Sequence, residues 1–250
     1  MKTFLIISLF FCSIFRTTAQ DINSLVKEAD RLEDVPSEVA AFNKFKEVLR
    51  INPTHVYSLT KASQLGSRIG AREVNAKNRD NWYAIALAYA NKAIAIAPLN
   101  DEANVALAMV LGKSSLTKSG KEKLKSAKEI RRRVDIALKT NPNNYLAWHI
   151  LGRWNYEISN ISSVERTAAK IFFGGIPSGS LKHAIMYFEK AKTLMPHFIL
   201  NYLELAKAYH KDGQVAKAIG LMQTIQSFPL NTEDDARLKM EGLRMIKDWE

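Results

Sequence analysis

The sequence predicts an all-α fold made of repeated pairs of antiparallel helices, and three observations support this. Prolines recur at long intervals, each just after a run with helical periodicity. The apolar residues before each proline repeat the same spacing, with small and bulky side chains on one face. Other segments carry a large residue followed by a Leu-Gly-like pair, the pattern of a partner helix. Together they predict an α-solenoid, in which each helix pair packs only on its neighbours.

The prolines mark the end of the second helix in each predicted pair, because proline cannot continue a helix. They are Pro53, Pro98, Pro142 and Pro196, preceded by EVLRI, KAIAI, IALKT and KAKTL with one further residue between. The residues twelve, eight and five positions before each proline share one helical face: Ala41, Phe45, Val48; Ala86, Ala90, Ala93; Ile130, Val134, Ala137; and Ala184, Phe188, Ala191. This pattern matches the second helix of a tetratricopeptide repeat.

The first helix of such a repeat is best represented by AWHILGRWNYE, residues 147–157. We predict that Trp148 fills the space between two helices and that Gly152 lets their backbones approach. A later stretch, NYLELAKAYHKDGQVAKAI, carries the same pattern in the last repeat. The predicted structural positions are therefore Trp148, Leu151, Gly152, Phe188, Pro196, Tyr202 and Tyr209.

These patterns divide the chain into about five repeats, at residues 22–55, 56–100, 101–144, 145–198 and 199–231, followed by a capping helix at 232–250. Thr232 is the predicted N-cap of that helix, and Leu238, Leu243 and Ile246 are predicted to face inward. Successive prolines lie 45, 44 and 54 residues apart, longer than the unit of about 34 residues. We expect the extra residues to form loops near 70–80, 112–120 and 160–180.

Residues 1–19 are predicted to be a cleaved signal peptide, and residues 20–250 the mature domain. Lys2 precedes an apolar run from Phe4 to Phe15, about twelve residues, whereas spanning a bilayer takes about 20. Small residues follow, with cleavage expected after Ala19. Cleavage would remove Cys12, the chain's one cysteine, and leave 34 basic and 25 acidic residues, a net charge of +9. We therefore expect an exported protein, periplasmic or secreted, without disulfides.

Four stretches within residues 147–219 go together: WHILGRWNYE, SSVERTAAKIFFGGIP, HAIMYFEKAKTLMPHF and NYLELAKAY. Through them this part of the chain resembles the regulator of microtubule dynamics family, a group of divergent tetratricopeptide-repeat proteins. The second stretch is the most specific, with Glu165-Arg166 and Phe173-Gly174 before Pro177; Val164 stands where the family usually has tryptophan. The resemblance implies an all-helical scaffold with microtubule or organelle-contact roles.

Repeats of this kind bind partners along the face made by their first helices, and several side chains at the inward spacing are cationic or aromatic. The predicted groove residues are Arg68, Lys113, His149, Arg153, Tyr156, Lys207 and His210. Guanidinium and ammonium groups bind carboxylates, so the predicted ligand is an extended, acidic peptide. The alternative is that these are ordinary solvated helix residues.

Residues 113–139 form a second candidate surface, with ten basic and three acidic residues. The cations predicted to point away from the buried stripe are Lys121, Lys125, Lys128, Arg132 and Lys139. They suit an acidic partner or an anionic membrane, although a solvated helix face is the simpler interpretation. Nucleic acid is disfavoured because no recognition motif accompanies the charge.

No catalytic, metal or cofactor site is predicted. The sequence GKS at 112–114 lacks the first glycine of a phosphate-binding loop, and the five histidines include no pair at metal-ligand spacing within one helix. The sequence thus predicts an exported, non-enzymatic scaffold that binds a protein or peptide. Two alternatives remain: a peripheral membrane or polyanion binder, and a microtubule-associated regulator if the N-terminal segment is not cleaved. The oligomeric state is not predicted.

Overall fold

The computed structural model describes residues 22–115 and 120–250, and every regular element in those ranges is helical. The predicted signal peptide, residues 1–19, lies outside the described residues. The predicted all-α tetratricopeptide-repeat solenoid is confirmed. In chain order the helices are α1 (22–34), α2 (Glu38–Ile51), α3 (Val56–Arg72), α4 (Ala76–Ile96), α5 (Asp101–Ser114), α6 (Gly120–Thr140), α7 (Tyr145–Ser159), α8 (Ser163–Phe173), α9 (Leu181–Leu194), α10 (Ile199–Lys211), α11 (Val215–Thr224) and α12 (Asp235–Trp249), with a 3-10 turn at Ile225–Ser227.

The helices pair as α3 with α4, α5 with α6, α7 with α9, and α10 with α11, while α1 and α2 share the cluster that contains Ala29, Phe42 and Phe45. Successive first helices α3, α5, α7 and α10 also contact one another, whereas the second helices lie outside them. The first helices therefore form a continuous inner layer. Helix α12 packs against α10 and α11 and ends the row.

Helix boundaries follow local sequence signals. Helices α2, α4, α6 and α9 each end two residues before Pro53, Pro98, Pro142 and Pro196. The intervening residue takes a non-helical backbone conformation at Asn52, Ala97 and Met195, because a residue before proline disfavours the helical region. The next helices begin at asparagine caps: the Asn100 and Asn144 side chains accept hydrogen bonds from the amides of Ala103 and Ala147.

The residues at the three repeated offsets before the prolines are all buried, the most exposed being Ile130 at 7%. One contact depends on a glycine. A Cβ on Gly152 would lie 2.6 Å from Cδ1 of Phe188, whose side chain is fully buried. Gly152 thus makes room on α7 for the Phe188 ring of α9. Trp148 is half-buried, stacks near Tyr187 of α9 at a ring separation of 5.5 Å, and donates from Nε1 to the carbonyl oxygen of Pro142 at 2.8 Å.

The expected loop near residues 70–80 is wrong. Three residues separate α3 from α4, and α4 runs for 21 residues. Asn75 caps α4 by accepting from the amide of Asn78, and no proline interrupts the residues after it, so the additional residues extend a helix. Residues 160–180 contain α8 and the connections on either side of it, and α6 also has 21 residues. The loop expected near 112–120 lies partly outside the described residues.

The capping helix also differs from the prediction. It begins at Asp235 rather than after Thr232. The carboxylate of Asp235 accepts from the amides of Asn231 and Thr232, which turns the connector just before the helix. Leu238 is buried and Ile246 contacts the same cluster, but Leu243 is 47% exposed.

Candidate functional site

The C-terminal half of the inner layer carries two of the predicted groove cations around one buried acid. Arg153 of α7 contacts Glu204 at 2.7 Å, and Lys207 contacts the same carboxylate at 3.3 Å. Glu204 lies on α10 with its side chain 5% exposed. Arg153 also pairs with Glu157, and Lys207 with Glu241 of α12. Both cations are therefore already bound to carboxylates of the chain.

The N-terminal half of the inner layer is organised by Glu33 and Glu38. Arg68 contacts Glu33 at 2.6 Å and Glu38 at 3.0 Å, and Arg72 contacts Glu38 at 2.6 Å. Burial raises the pKa of the Glu33 carboxyl, but Arg68 and Lys61 outweigh it and hold that pKa below its ordinary value. The acids of α1 and α2 thus form ion pairs with the arginines of α3. The cations of this region are therefore also bound to carboxylates of the chain.

Lys113, near the end of α5, differs from the other groove cations. Its side chain makes no hydrogen bond or ion pair with the residues that the structure describes. Burial lowers the pKa of its ammonium group, and Arg68, Arg72 and Arg153 lower it further, whereas Asp234 favours the charged form. Lys113 thus lies recessed between the two paired regions, close to three guanidinium groups and one acid.

His149 is not a groove residue, and this prediction is wrong. It is 7% exposed, because Phe198 and α10 cover its face of α7, with its ring 4.9 Å from that of Phe198. Asn201 donates to the carbonyl oxygen of Phe188, so its Oδ1 accepts from Nδ1 of His149 at 3.0 Å. Burial lowers the pKa of His149 to about 4, which keeps the ring neutral at pH 7.

The remaining predicted groove residues lie towards the C-terminal end. Lys211 approaches the face of the Tyr156 ring at 5.5 Å from its centre. His210 is exposed at one edge, and its ring stacks on Trp249 of α12 at 4.4 Å. The capping helix therefore covers one face of the His210 ring.

Several inner residues were missed because their spacing resembled solvated helix positions. Burial raises the pKa of Glu102, which accepts hydrogen bonds from Gln64 at 3.1 Å and from Asn144 at 2.8 Å. Asn144 also donates to Asp101 at 3.0 Å, so a cap residue joins two repeats. Arg72, one turn after Arg68 on α3, could have been found by extending the inward spacing by four residues.

The basic cations of α6 lie on the outside of the solenoid. Lys121, Lys125, Lys128, Arg132 and Lys139 are all exposed. Arg132 forms an ion pair with Glu129 at 2.7 Å. The four lysines have no ion pair with the described part of the chain. They form a surface separate from the inner layer.

Helix α8 is the insertion within the fourth repeat. Ser162 and Glu165 form a reciprocal capping box at its start, and Arg166 donates to the carbonyl oxygen of Ile158 at the end of α7. Gly174 ends the helix in the left-handed conformation. Val164 and Ile171 are 77% and 71% exposed, so α8 presents apolar side chains to solvent.

Within residues 22–115 and 120–250, no group of three or more histidine, cysteine or carboxylate side chains is arranged to hold a metal ion. None of the helices in these ranges combines the length and the hydropathy needed to cross a bilayer.

The interlocking helix pairs and the inner layer of first helices define a tetratricopeptide-repeat solenoid. Two solved structures share the fold. A thermophilic tetratricopeptide-repeat protein of Thermus thermophilus has a TM-score of 0.65 at 14% identity, with 90% of this chain and 99% of that chain covered. The pilF protein of Pseudomonas aeruginosa has a TM-score of 0.54 at 13% identity, covering 93% and 88%. At such identities the similarity shows the fold alone.

The chain belongs to the family described as regulator of microtubule dynamics protein 1-3, whose family profile matches residues 25–250. The resemblance first drawn from residues 147–219 is confirmed. Regulator of microtubule dynamics protein 2 of Bos taurus is 25% identical over 234 residues, covering 91% of this chain and 56% of that protein. The Mus musculus protein 1 is 28% identical over 127 residues, covering 50% and 42%. The chain thus spans about half the length of the curated relatives that it matches.

Proposed function

We propose that this protein is a binding scaffold without catalytic activity, and that it holds an acidic segment of a protein partner against the inner layer of α1, α3, α5, α7 and α10. The main support for this proposal is Lys113, a recessed cation near three guanidinium groups. No carboxylate of the described residues forms an ion pair with Lys113. A charge in such a position is costly unless it is paired. A ligand carboxylate would supply the missing pair.

Affinity capture from native cells, followed by cross-linking mass spectrometry, tests this proposal. Lys113→Gln removes a cation without breaking an ion pair among the described residues, so it should leave the fold intact. We expect this variant to capture its partner about tenfold less well, equivalent to about 1.4 kcal/mol. Lys128→Gln is the matched control, because Lys128 is an exposed lysine of α6.

Cross-links from the partner should fall on the inner helices of the wild-type protein. Equal capture by wild type and Lys113→Gln, or equal losses in both variants, would exclude the inner layer as the site. Arg153 and Lys207 are unsuitable for charge reversal, because a glutamate introduced at either position would face Glu204 and disturb folding.

A second candidate function is attachment to an anionic membrane through α6. The observation that favours it is a set of four exposed lysines without an ion pair in the described ranges, Lys121, Lys125, Lys128 and Lys139. Flotation with vesicles rich in phosphatidylserine should then be strong at about 50 mM salt and weak at about 500 mM, because salt screens exposed charges. Glutamine at Lys121, Lys125 and Lys128 should abolish flotation, and Lys113→Gln should not. Flotation that withstands the triple replacement would contradict this function.

We also propose that the protein acts outside the cytosol after cleavage at Ala19. The support is the short apolar run after Lys2. N-terminal sequencing of the protein from its native cells should give Gln20 as the first residue. An intact Met1 would instead favour an intracellular role, and the names of the relatives make binding to microtubules the role to test by co-sedimentation.

A further inference from the structure

The connector before α12 lies against the beginning of the solenoid. The backbone amide of Glu38, at the start of α2, donates to Oε1 of Glu233 at 2.7 Å. Arg72 of α3 contacts Oε2 of Glu233 at 3.0 Å and Oδ2 of Asp234 at 3.3 Å. Glu38 and Glu233 are 195 positions apart in the sequence, and Arg72 and Asp234 are 162 positions apart. The row of helices therefore curves until its last connector reaches its second helix.

The same connector approaches Lys113. Asp234 is the acid that favours the charged form of Lys113, but it lies beyond ion-pair distance. Asp234 instead contacts Arg72 and Arg237. Arg68 contacts Glu33 and Glu38, which belong to α1 and α2. Two of the three acids that hold Arg72 belong to the connector, so displacing the connector would free Arg72, together with Lys113, for an acid entering from this side.

The connector resembles a bound acidic peptide in its charge and in its contacts. Its sequence around this point is PLNTEDDA, residues 229–236, with three consecutive acids. The carboxylate of Asp235 accepts from the amides of Asn231 and Thr232, which shapes the turn that directs Glu233 and Asp234 to Arg72. Two adjacent carboxylates on a short turn are thus already held by Arg72 of the inner layer.

We propose that Arg72 and Lys113 form a binding site for a protein segment with two adjacent carboxylates, and that the chain's own Glu233 and Asp234 compete for it. A partner segment binds by displacing the connector from Arg72 and by adding a carboxylate at Lys113. This inference rests on the proposed function, since it assigns the site and the ligand chemistry of the same inner layer. The partner binds only those molecules in which the connector has left the site. Its apparent affinity is therefore lower than its affinity for the open site.

The probe is a fluorescent peptide of the chain's own sequence, PLNTEDDA, added to the full-length protein and followed by anisotropy. In the Glu233→Gln/Asp234→Asn variant the internal acids are neutral, so the peptide should bind about tenfold more tightly than to wild type. The control is Asp248→Asn/Glu250→Gln, which removes the same charge from exposed residues at the C-terminus that have no ion pair within the described ranges. This control should bind the peptide as weakly as wild type does.

Adding Lys113→Gln to the first variant should abolish the gain, and a peptide with alanine in place of the first two of its three acids, those that correspond to Glu233 and Asp234, should not bind. The proposal is overturned if the variant binds no more tightly than the control, or if the gain persists without Lys113. Should circular dichroism show that the double variant has lost structure, Asp234→Asn alone decides: Glu233 keeps the Glu38 amide contact there, and a smaller gain is still required.

The two hypotheses fail separately. If Lys113→Gln reduces partner capture but the connector variant gains nothing, the inner layer binds its partner without internal competition. If the connector variant binds the peptide more tightly but Lys113→Gln captures the partner as well as wild type does, the site exists and the proposed scaffold function is wrong.

Discussion

Replacing Gly152 with alanine should destabilise the protein, whereas the same replacement at Gly220 should stabilise it. Both glycines lie inside helices, α7 and α11. A Cβ at Gly152 would lie 2.6, 2.8 and 2.9 Å from three ring carbons of Phe188, but a Cβ at Gly220 would meet nothing within 4 Å. The Phe188 ring is fully buried and has little room to move.

The expected magnitude combines two opposing effects. Alanine is favoured over glycine in a helix by about 1 kcal/mol, and this gain applies at both positions. Overpacking a filled core costs about 1–3 kcal/mol, and this cost applies only at Gly152. The two variants should therefore differ in free energy of unfolding by about 2 kcal/mol. In a chain of this size that corresponds to a difference in Tm of about 4–8 °C.

Urea and thermal unfolding followed by circular dichroism measure both variants. Phe188→Leu combined with Gly152→Ala should recover part of the loss, and the double-mutant cycle isolates the contact from the separate costs of each change. If Gly152→Ala is stabilised as much as Gly220→Ala, the ring of Phe188 does not pack on Gly152 and the described pairing of α7 with α9 is wrong.

Three further predictions concern pH, charge and capping. His149 has a folded pKa of about 4, below its unfolded value of 6.5, so its contribution to stability is complete above pH 6.5 and falls by roughly 3 kcal/mol towards pH 4. Urea titrations should show a smaller decline in His149→Gln, and equal declines would refute the assignment. Lys113→Met should be at least as stable as wild type at pH 7, because the folded pKa is lowered by burial. Wild type should approach the variant as pH rises from that folded pKa towards the ordinary value of 10.5, and a clear loss in the variant at pH 7 would show a missed partner. Ser162→Ala should destabilise α8 by about 1 kcal/mol, seen as faster hydrogen exchange over residues 163–173 at unchanged Tm. Unchanged exchange would mean that the capping box does not hold α8.

Much of the fold could be predicted because its signals are local. Proline stops, asparagine caps and the small–bulky–small spacing act within one or two helical turns, and the residues that they selected, such as Phe45 and Phe188, are buried. The extra residues near 70–80 were wrongly predicted to form a loop for a related reason. Between Glu73 and Asp80 no residue excludes helix, so nothing in the sequence distinguishes a loop from an extended α4.

The site was predicted less well. Spacing identified the inward face of α7, but it could not show that α10 and Asn201 cover His149. Spacing also identified Arg153 and Lys207 as groove cations, but it could not show that both bind Glu204. By spacing alone, Glu204 looks like an ordinary acid on a helix. Which side chains of an inward face remain available depends on the neighbouring helix, and that neighbour is not encoded in the spacing.

The positions of the helices and their buried stripes follow from the sequence alone, since each depends on residues a few positions apart. The meeting of Glu233 with Arg72 and Glu38 depends on the tertiary structure. It requires the small rotations between successive helix pairs to add up across the whole row, and each rotation is set by side-chain packing at an interface. Curvature accumulated over the repeats decides which distant charges meet, and so decides which inner-layer cations find an ion pair within the described residues.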